Sequence, residues 1–329
     1  MKKHLTSEAS MKIAVIGAGM VGISICDYLL LMGNCAELVL VDINQERAAG
    51  EIMDFSHTTA LSFSKNTRLV AGDYSDCRGA DIVIITAGAQ IQKGQTRDQL
   101  ASTNARVAID IAKALEPYAP NATLILVSNP VDITAYFVIA HTGYLPHQVI
   151  SSGCIIDSAR LMTILGQSLD IDPKNVAGYV LGEHGKTAFI PWSLLNIAGM
   201  SLEDYCRLHQ VQLPNHEQIL EDVKQVGIEI FNRKGNTNHG IAASVFRIVQ
   251  ALTVSEHSIL PVGVLLQGEY GLDDVVLSVP TVIDRHGIAR IIKAPLTEQE
   301  MQQLHASGQF IQDLISEVKE HFRYDNESK

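Results

Sequence analysis

Residues 15–22 read VIGAGMVG, and the fold turns on what flanks them. Upstream lies the apolar run KIAVI (12–16). Downstream lies VGISICDYLLLMG, an amphipathic run at helical spacing. GxGxxG spacing carries meaning when a strand leads into it and a helix leads out, as here with Gly17, Gly19 and Gly22. Gly17 permits the tight turn, and Gly19 lets a pyrophosphate approach the backbone at the positive end of the helix. Gly22 lets helix and strand pack closely. Glycine-rich turns are common, so the motif needs support. Asp42 supplies it by ending the next strand, ELVLVD (37–42), twenty residues after Gly22. A carboxylate there accepts hydrogen bonds from an adenosine ribose and repels a 2′-phosphate, which favours NAD over NADP. Met20 and Val21 within the motif, and Ala87 and Gly88 closing DIVIITAG (81–88), are the other expected cofactor contacts.

Outward from this turn, the first half alternates short apolar runs with helical ones. QERAAGEIMDF is helical, RLVAG (68–72) and DIVIITAG are strands, and a helix is expected at about 98–116, before TLILVSNP (123–130) and VISSG (149–153). Apolar strands separated by helices predict an α/β fold, a Rossmann-type doubly wound parallel sheet covered on both faces. The second half reads as α+β. Long helical patterns fall at about 218–233 and 238–256, and VGVLLQGEY (262–270) and DVVLSVPTVI (274–283) look like antiparallel strands. A last helix opens with Thr297 and Glu300 in capping-box spacing. The expected organisation is a loose arm at 1–10, an NAD-binding domain at 11–153 and a substrate domain at 154–329. The helix near 238–256 is placed to pack back on the first domain.

The 329 residues leave ample room for buried cores. A formal charge of −11 argues against nucleic acid and acidic membranes as partners. The five cysteines are odd in number and scattered, without CxxC spacing, so they read as free thiols in a reducing compartment. MKKHLTSEAS lacks the apolar core of a secretory signal, and no apolar run reaches transmembrane length. A cytoplasmic protein is expected. No HExxH or clustered Cys/His set suggests a metal.

GEHG (182–185) sets His184 between two glycines, at the expected end of a strand NVAGYVL (175–181), facing either a cleft or plain solvent. Histidine is the usual proton donor near neutral pH. IIDSARLM (155–162) carries Asp157 and Arg160 three apart, on one helix face. On spacing alone they are an ordinary ion pair. The functional alternative pairs Asp157 with the histidine and leaves Arg160 to grip a carboxylate.

The chain resembles the L-lactate/malate dehydrogenase family over about residues 11–320. The resemblance rests on GAGMVG, Asp42, the GxxR loop at Gly94–Arg97, SNPVD (128–132), DSAR (157–160), GEHG, RKGNT (233–237) and DVVLSVP (274–280). It implies reversible hydride transfer between NADH and a 2-oxo acid, with His184 as acid/base and Asp157 as its partner. Arg160 would bind the substrate carboxylate, and Arg97, brought in by loop closure, would polarise the carbonyl. Asn129 would bond the substrate oxygen or the nicotinamide ribose, Thr237 would line the pocket, and Asn129–Pro130 would be cis. Homotetramers or dimers, formed through the helix near DFSHTTAL, are also implied.

The family's substrate-reading residue lies three before the loop glycine, which here is Ile91 in AGAQIQKGQTR (87–97). Lactate dehydrogenases usually carry glutamine there and malate dehydrogenases arginine. An isoleucine would leave a second carboxylate desolvated and unpaired, so malate should be a poor substrate. Pyruvate/lactate is the first expectation. Larger aliphatic 2-oxo acids of the 2-hydroxyisocaproate type are the alternative, and Ile91 could instead anchor the loop while Gln90 or Gln92 faces the substrate. Where many bacterial relatives hold fructose 1,6-bisphosphate with an arginine and a histidine, this chain has Met162 and Ala177, so no activation is expected. Lys186 stands where the family commonly has Asp or Asn. A non-catalytic NAD-binding protein and an NAD-dependent glycosidase rank below these readings, the first because Arg97, Asp157, Arg160 and His184 are all present.

Overall fold

The computed structural model describes residues 11–33, 35–61, 66–89 and 97–327. In chain order these form β1 (Met11–Ile16), α1 (Met20–Met32), β2 (Cys35–Val41), α2 (Gln45–Thr59), β3 (Arg68–Gly72) and β4 (Ile82–Ile85). Next come α3 (Arg97–Leu115), β5 (Thr123–Leu126), α4 (Val131–His141), β6 (Val149–Ser151) and α5 (Ile155–Leu169). Then follow β7 (Val176–Ala177), β8 (Asn196–Ile197), α6 (Leu202–His209), α7 (His216–Lys234) and α8 (His239–Thr253). The chain closes with β9 (Ser258–Gln267), β10 (Asp273–Asp284), β11 (Gly287–Ile291) and α9 (Glu298–Glu327).

Strands β3-β2-β1-β4-β5-β6 lie side by side and all pair in parallel, the doubly wound order. Residues 82–85 and 123–126 are wholly buried, which is why these strands are continuous apolar runs without alternation. The order reverses between β1 and β4. That is the point, at the carboxyl ends of the strands, where open α/β sheets bind their ligands.

Three features go beyond the sequence reading or depart from it. The antiparallel strands of the second half do not form a sheet of their own. They continue the first, in the order β11-β10-β9-β6, joined by the single antiparallel pairing Ser151–Gly263. Glycine is required at that seam, because a Cβ on Gly263 would lie 2.6 Å from the Ser151 Cβ and 2.7 Å from an Asp132 carboxylate oxygen. Second, α4 was not anticipated as a helix. It is buried on nearly every side, so its apolar residues show no one-sided period. Third, the run before His184 is a strand only at Val176–Ala177.

Helix α8 lies on α1, with the Tyr28 and Phe246 rings 5.7 Å apart, and Asn238 donates to the Ser24 hydroxyl at 2.8 Å. The capping box at the head of α9 is present: Thr297 N–H donates to Glu300 at 2.9 Å, and Glu300 N–H to the Thr297 hydroxyl at 3.3 Å. No helix among the described residues is long and apolar enough to cross a membrane.

Candidate active site

The glycine turn has the form its sequence requires. Gly17 has φ +111°, and a Cβ on Gly22 would sit 1.9 Å from the Gly17 carbonyl oxygen. Around Gly19 nothing lies within 4 Å of where a Cβ would be, so the backbone there is open to a ligand. No side chain caps the N-terminus of α1, which leaves its first N–H groups for an anion. Asp42 accepts from Ala18 N–H at 2.6 Å and Asn44 N–H at 2.8 Å, binding the turn to the end of β2. Each carboxylate oxygen keeps a lone pair for a ribose hydroxyl. A dinucleotide therefore fits the residues present. Ala87 is fixed by its N–H to Ile16 O and by the Ser128 hydroxyl on its carbonyl, and Gly88 packs against Ser128. Met20 stands exposed at the start of α1, whereas Val21 turns inward.

Beside this turn, Val21, Val127, Asn129, Arg160, His184 and Thr237 line one pocket, together with Ser152, Ile156 and Ile241. The expected substrate residues from four distant segments thus meet against the first turn of α1. Asn129–Pro130 is cis. Residues 90–96, with Ile91 and Gly94, lie outside the described residues, as does the Arg97 side chain; the Arg97 backbone begins α3.

His184 is presented by a turn and not by a strand end. Leu181 and Phe189 exchange backbone hydrogen bonds at 2.9 and 3.1 Å, and Gly182 exchanges a pair with Ser278 of β10. Gly182, at φ +91°, makes the corner. The His184 Nδ1 lies 2.6 Å from one Asp157 oxygen, and the other oxygen accepts from Arg160 Nη1 at 2.6 Å. The i,i+3 spacing on α5 thus does both things at once: it forms the ion pair and aims the carboxylate at the imidazole. Burial opposes the imidazolium, yet Asp157 outweighs it and His184 is pushed up to about 8. Burial also opposes the Asp157 charge, but His184 and Arg160 hold its carboxyl below the usual range.

Sequence reasoning missed three groups. Asp132, buried in the first turn of α4, accepts the His184 backbone N–H at 2.8 Å and the Ser151 hydroxyl at 2.8 Å. Burial pushes its carboxyl up to about 6 against these bonds. Asn104 on α3 accepts from Ala89 N–H at 2.7 Å and donates to the carbonyls of Ala89 and Asn129 at 3.1 and 2.6 Å. It ties the base of the loop to the pocket. Ser307 of α9 accepts the Glu183 N–H at 2.7 Å. Only Asp132 left a signal in the sequence, as the one charged residue of the otherwise apolar run VDITAYFVIA.

Among the described residues, Cys154, Asp157 and His184 bring three potential metal-ligand atoms within 4.8 Å of one another. These donors are already partnered without an ion: Asp157 is shared by His184 and Arg160, and the Cys154 thiol donates to the Gly182 and Glu183 carbonyls. Lys186 is exposed, and its carbonyl accepts from Lys224 at 3.0 Å.

Known proteins match this arrangement along nearly the whole chain. Residues 11–151 match the family described as lactate/malate dehydrogenase, NAD binding domain, and residues 155–322 match its alpha/beta C-terminal domain. The L-lactate dehydrogenase of Acetivibrio thermocellus is 41% identical over 306 residues, covering 92% of this chain and 96% of that one. The structure of MGS-M5, a lactate dehydrogenase from a Medee basin deep-sea metagenome library, superposes with a TM-score of 0.91 at 35% identity, covering 94% of this chain and 99% of that one. That of malate dehydrogenase from Archaeoglobus fulgidus, in complex with NADH, gives 0.84 at 30% identity, covering 94% and 100%.

Proposed function

Since the chain belongs to the lactate/malate dehydrogenase family, whose cofactor is NAD, we propose that it interconverts pyruvate and L-lactate. The observation that carries this reading is the carboxylate of Asp157, shared between His184 and Arg160 at 2.6 Å each beside the cofactor turn.

The roles follow from charge and reach. Gly17, Gly19, Met20, Val21, Gly22, Asp42, Ala87, Gly88 and Asn129 hold the dinucleotide. When bound, NADH supplies the hydride that reduces the substrate carbonyl. Arg160 binds the substrate carboxylate through the guanidinium edge that Asp157 leaves free. Asp157 accepts from Nδ1–H, which leaves His184 Nε2 to carry the proton given to the developing alkoxide. Arg97, carried by the loop, polarises the carbonyl. Asn129 and Thr237 complete the walls, and Ile91 is the apolar residue assigned to the part of the substrate beyond C2.

Residues 11–153 and 154–329 are the two working domains on this reading. The five cysteines, free and buried, support a reducing, cytoplasmic setting for glycolytic or fermentative chemistry. A homotetramer, or a dimer, is the expected assembly. Met162 and Ala177 offer no cation to a phosphate, so fructose 1,6-bisphosphate should leave the rate unchanged.

The test is kcat/KM with NADH and pyruvate, 2-oxoisocaproate or oxaloacetate, side by side. Pyruvate highest and oxaloacetate lowest is the expected order. A higher value for 2-oxoisocaproate would move the assignment to larger aliphatic 2-oxo acids. No turnover of any of them would return the chain to a binding role.

A further inference from the structure

Arg160 meets α7 at a glycine. Ile219, Val223 and Gly227 follow one another at four-residue intervals, and the first two are buried at 5% and 1% exposure. That stripe calls for a third apolar side chain facing inward. Glycine is also the poorest helix former after proline, and Gly227 needs no left-handed backbone that would demand it. Its neighbour supplies the reason. A Cβ at Gly227 would lie 2.8 Å from Arg160 Nη2, 3.3 Å from Cζ and 3.4 Å from Nη1.

An arginine tip can ordinarily swing aside from a methyl group. Here it is tethered. Nη1 donates to Asp157 at 2.6 Å, and the same carboxylate is held by His184. The Arg160 side chain is only 18% exposed. The guanidinium therefore lies between the Asp157 carboxylate and the bare backbone of α7.

We propose that Gly227 is a positioning residue for Arg160. Its missing side chain sets how deep the guanidinium sits, and hence where a substrate carboxylate is held relative to His184. The inference rests on the reading of Arg160 as the carboxylate clamp. It makes an unusual demand: a methyl group at 227 should favour the helix and yet weaken substrate binding, so stability and affinity should part company.

The test is Gly227→Ala in the full chain, with NADH bound. The probe is oxamate, the amide isostere of pyruvate, which has the same carboxylate but accepts no hydride. The oxamate Kd and the pyruvate KM should each rise roughly tenfold or more, with kcat changed less than KM. NADH affinity should hold, and any change in Tm should be small beside the loss of oxamate affinity, because the helix gain of the methyl group offsets part of the cost of loosening the Arg160–Asp157 pair. Unchanged oxamate affinity would overturn the proposal. So would a joint fall of oxamate affinity, NADH affinity and Tm, which would mark Gly227 as general helix packing. A crystal structure of the variant provides a readout that needs no substrate. Arg160 displaced from Asp157 supports the proposal, and Arg160 in place overturns it. If the wild-type protein neither turns over pyruvate nor binds oxamate, the proposed function fails, while this structural readout still decides the role of Gly227.

Discussion

The Asp132 carboxylate accepts the backbone N–H of His184 at 2.8 Å, so the histidine is held by its main chain as well as by its ring. The other Asp132 oxygen takes the Ser151 hydroxyl at 2.8 Å, at the seam where β6 meets β9. One buried carboxylate thus joins the sheet, α4 and the turn that carries His184. Asp157 aims the imidazole, and Asp132 fixes the turn from which it is aimed.

Asp132→Asn separates geometry from charge. The amide oxygen can still accept from His184, and the amide N–H can donate to a rotated Ser151 hydroxyl. The fold should survive. Burial raises the Asp132 carboxyl from 3.8 to about 6. A raised folded pKa contributes stability at low pH that is lost as pH climbs through about 6. The asparagine variant should lack that loss, and chemical denaturation across this range would show it. The Asp132 charge also helps raise His184, so the alkaline limb of pyruvate reduction should move to lower pH by a fraction of a unit to about one unit. Asp132→Ala should behave differently, because it strands the His184 N–H at a cost of about 1–3 kcal/mol. Identical pH profiles for wild type and Asp132→Asn would remove Asp132 from the electrostatics of the site.

Asp157→Asn removes the main support of the His184 proton. Pyruvate reduction needs the imidazolium, so the wild-type rate should be full below about 8 and fall above it. Lactate oxidation needs the neutral ring and should rise through the same pH. In the variant both limbs should shift to lower pH, with kcat/KM reduced by roughly 10²–10⁴-fold. Stability follows the same signs. The raised His184 contributes below 6.5 and is lost through about 8, while the depressed Asp157 contributes above 3.8 and is lost as pH falls below it. A variant whose pH–rate midpoint stays near 8 would rule out Asp157 as the histidine's electrostatic partner.

The sequence made some of this site legible because some of it is local. Three glycines within six residues, and Asp157 three before Arg160, are short-range patterns whose geometry follows from one turn or one helix face. Asp132, Asn104 and Ser307 act on partners 52, 25 and 124 residues away, and no local period announces them. Helix α4 escaped detection because burial on all sides erased its periodicity. The single sheet escaped because its halves join at one pair, Ser151 and Gly263. Gly227 breaks the apolar stripe of α7, and its reason, the Arg160 guanidinium, comes from another helix.

Ser307 offers a test of how far the His184 turn depends on α9. Its hydroxyl accepts from Glu183 N–H and lies 2.9 Å from the Thr187 hydroxyl, while Glu183 accepts from Thr187 N–H at 2.7 Å. Ser307→Ala leaves the Glu183 N–H without its acceptor, so stability should fall by about 1–3 kcal/mol in denaturant titration. Asp132 and Asp157 still hold His184, so kcat should drop only severalfold. A loss as large as that of Asp157→Asn would mean that α9, and not α4 and α5, governs the position of the histidine.

On the proposed reading, Ile91 sets which 2-oxo acid is accepted. It lies outside the described residues, so the argument is one of chemistry. Oxaloacetate brings a second carboxylate, and an apolar wall desolvates it without pairing it, at a cost of several kcal/mol. Ile91→Arg supplies a bidentate partner and removes the apolar surface suited to a methyl group. The ratio of kcat/KM for oxaloacetate over pyruvate should rise by roughly 10²-fold or more, with oxaloacetate gaining and pyruvate losing. Gln90→Arg and Gln92→Arg are the comparison, since a one-residue shift of the loop would turn one of them to the substrate. A specificity switch confined to either glutamine variant would make Ile91 the anchor of the loop and a glutamine the group that reads the substrate.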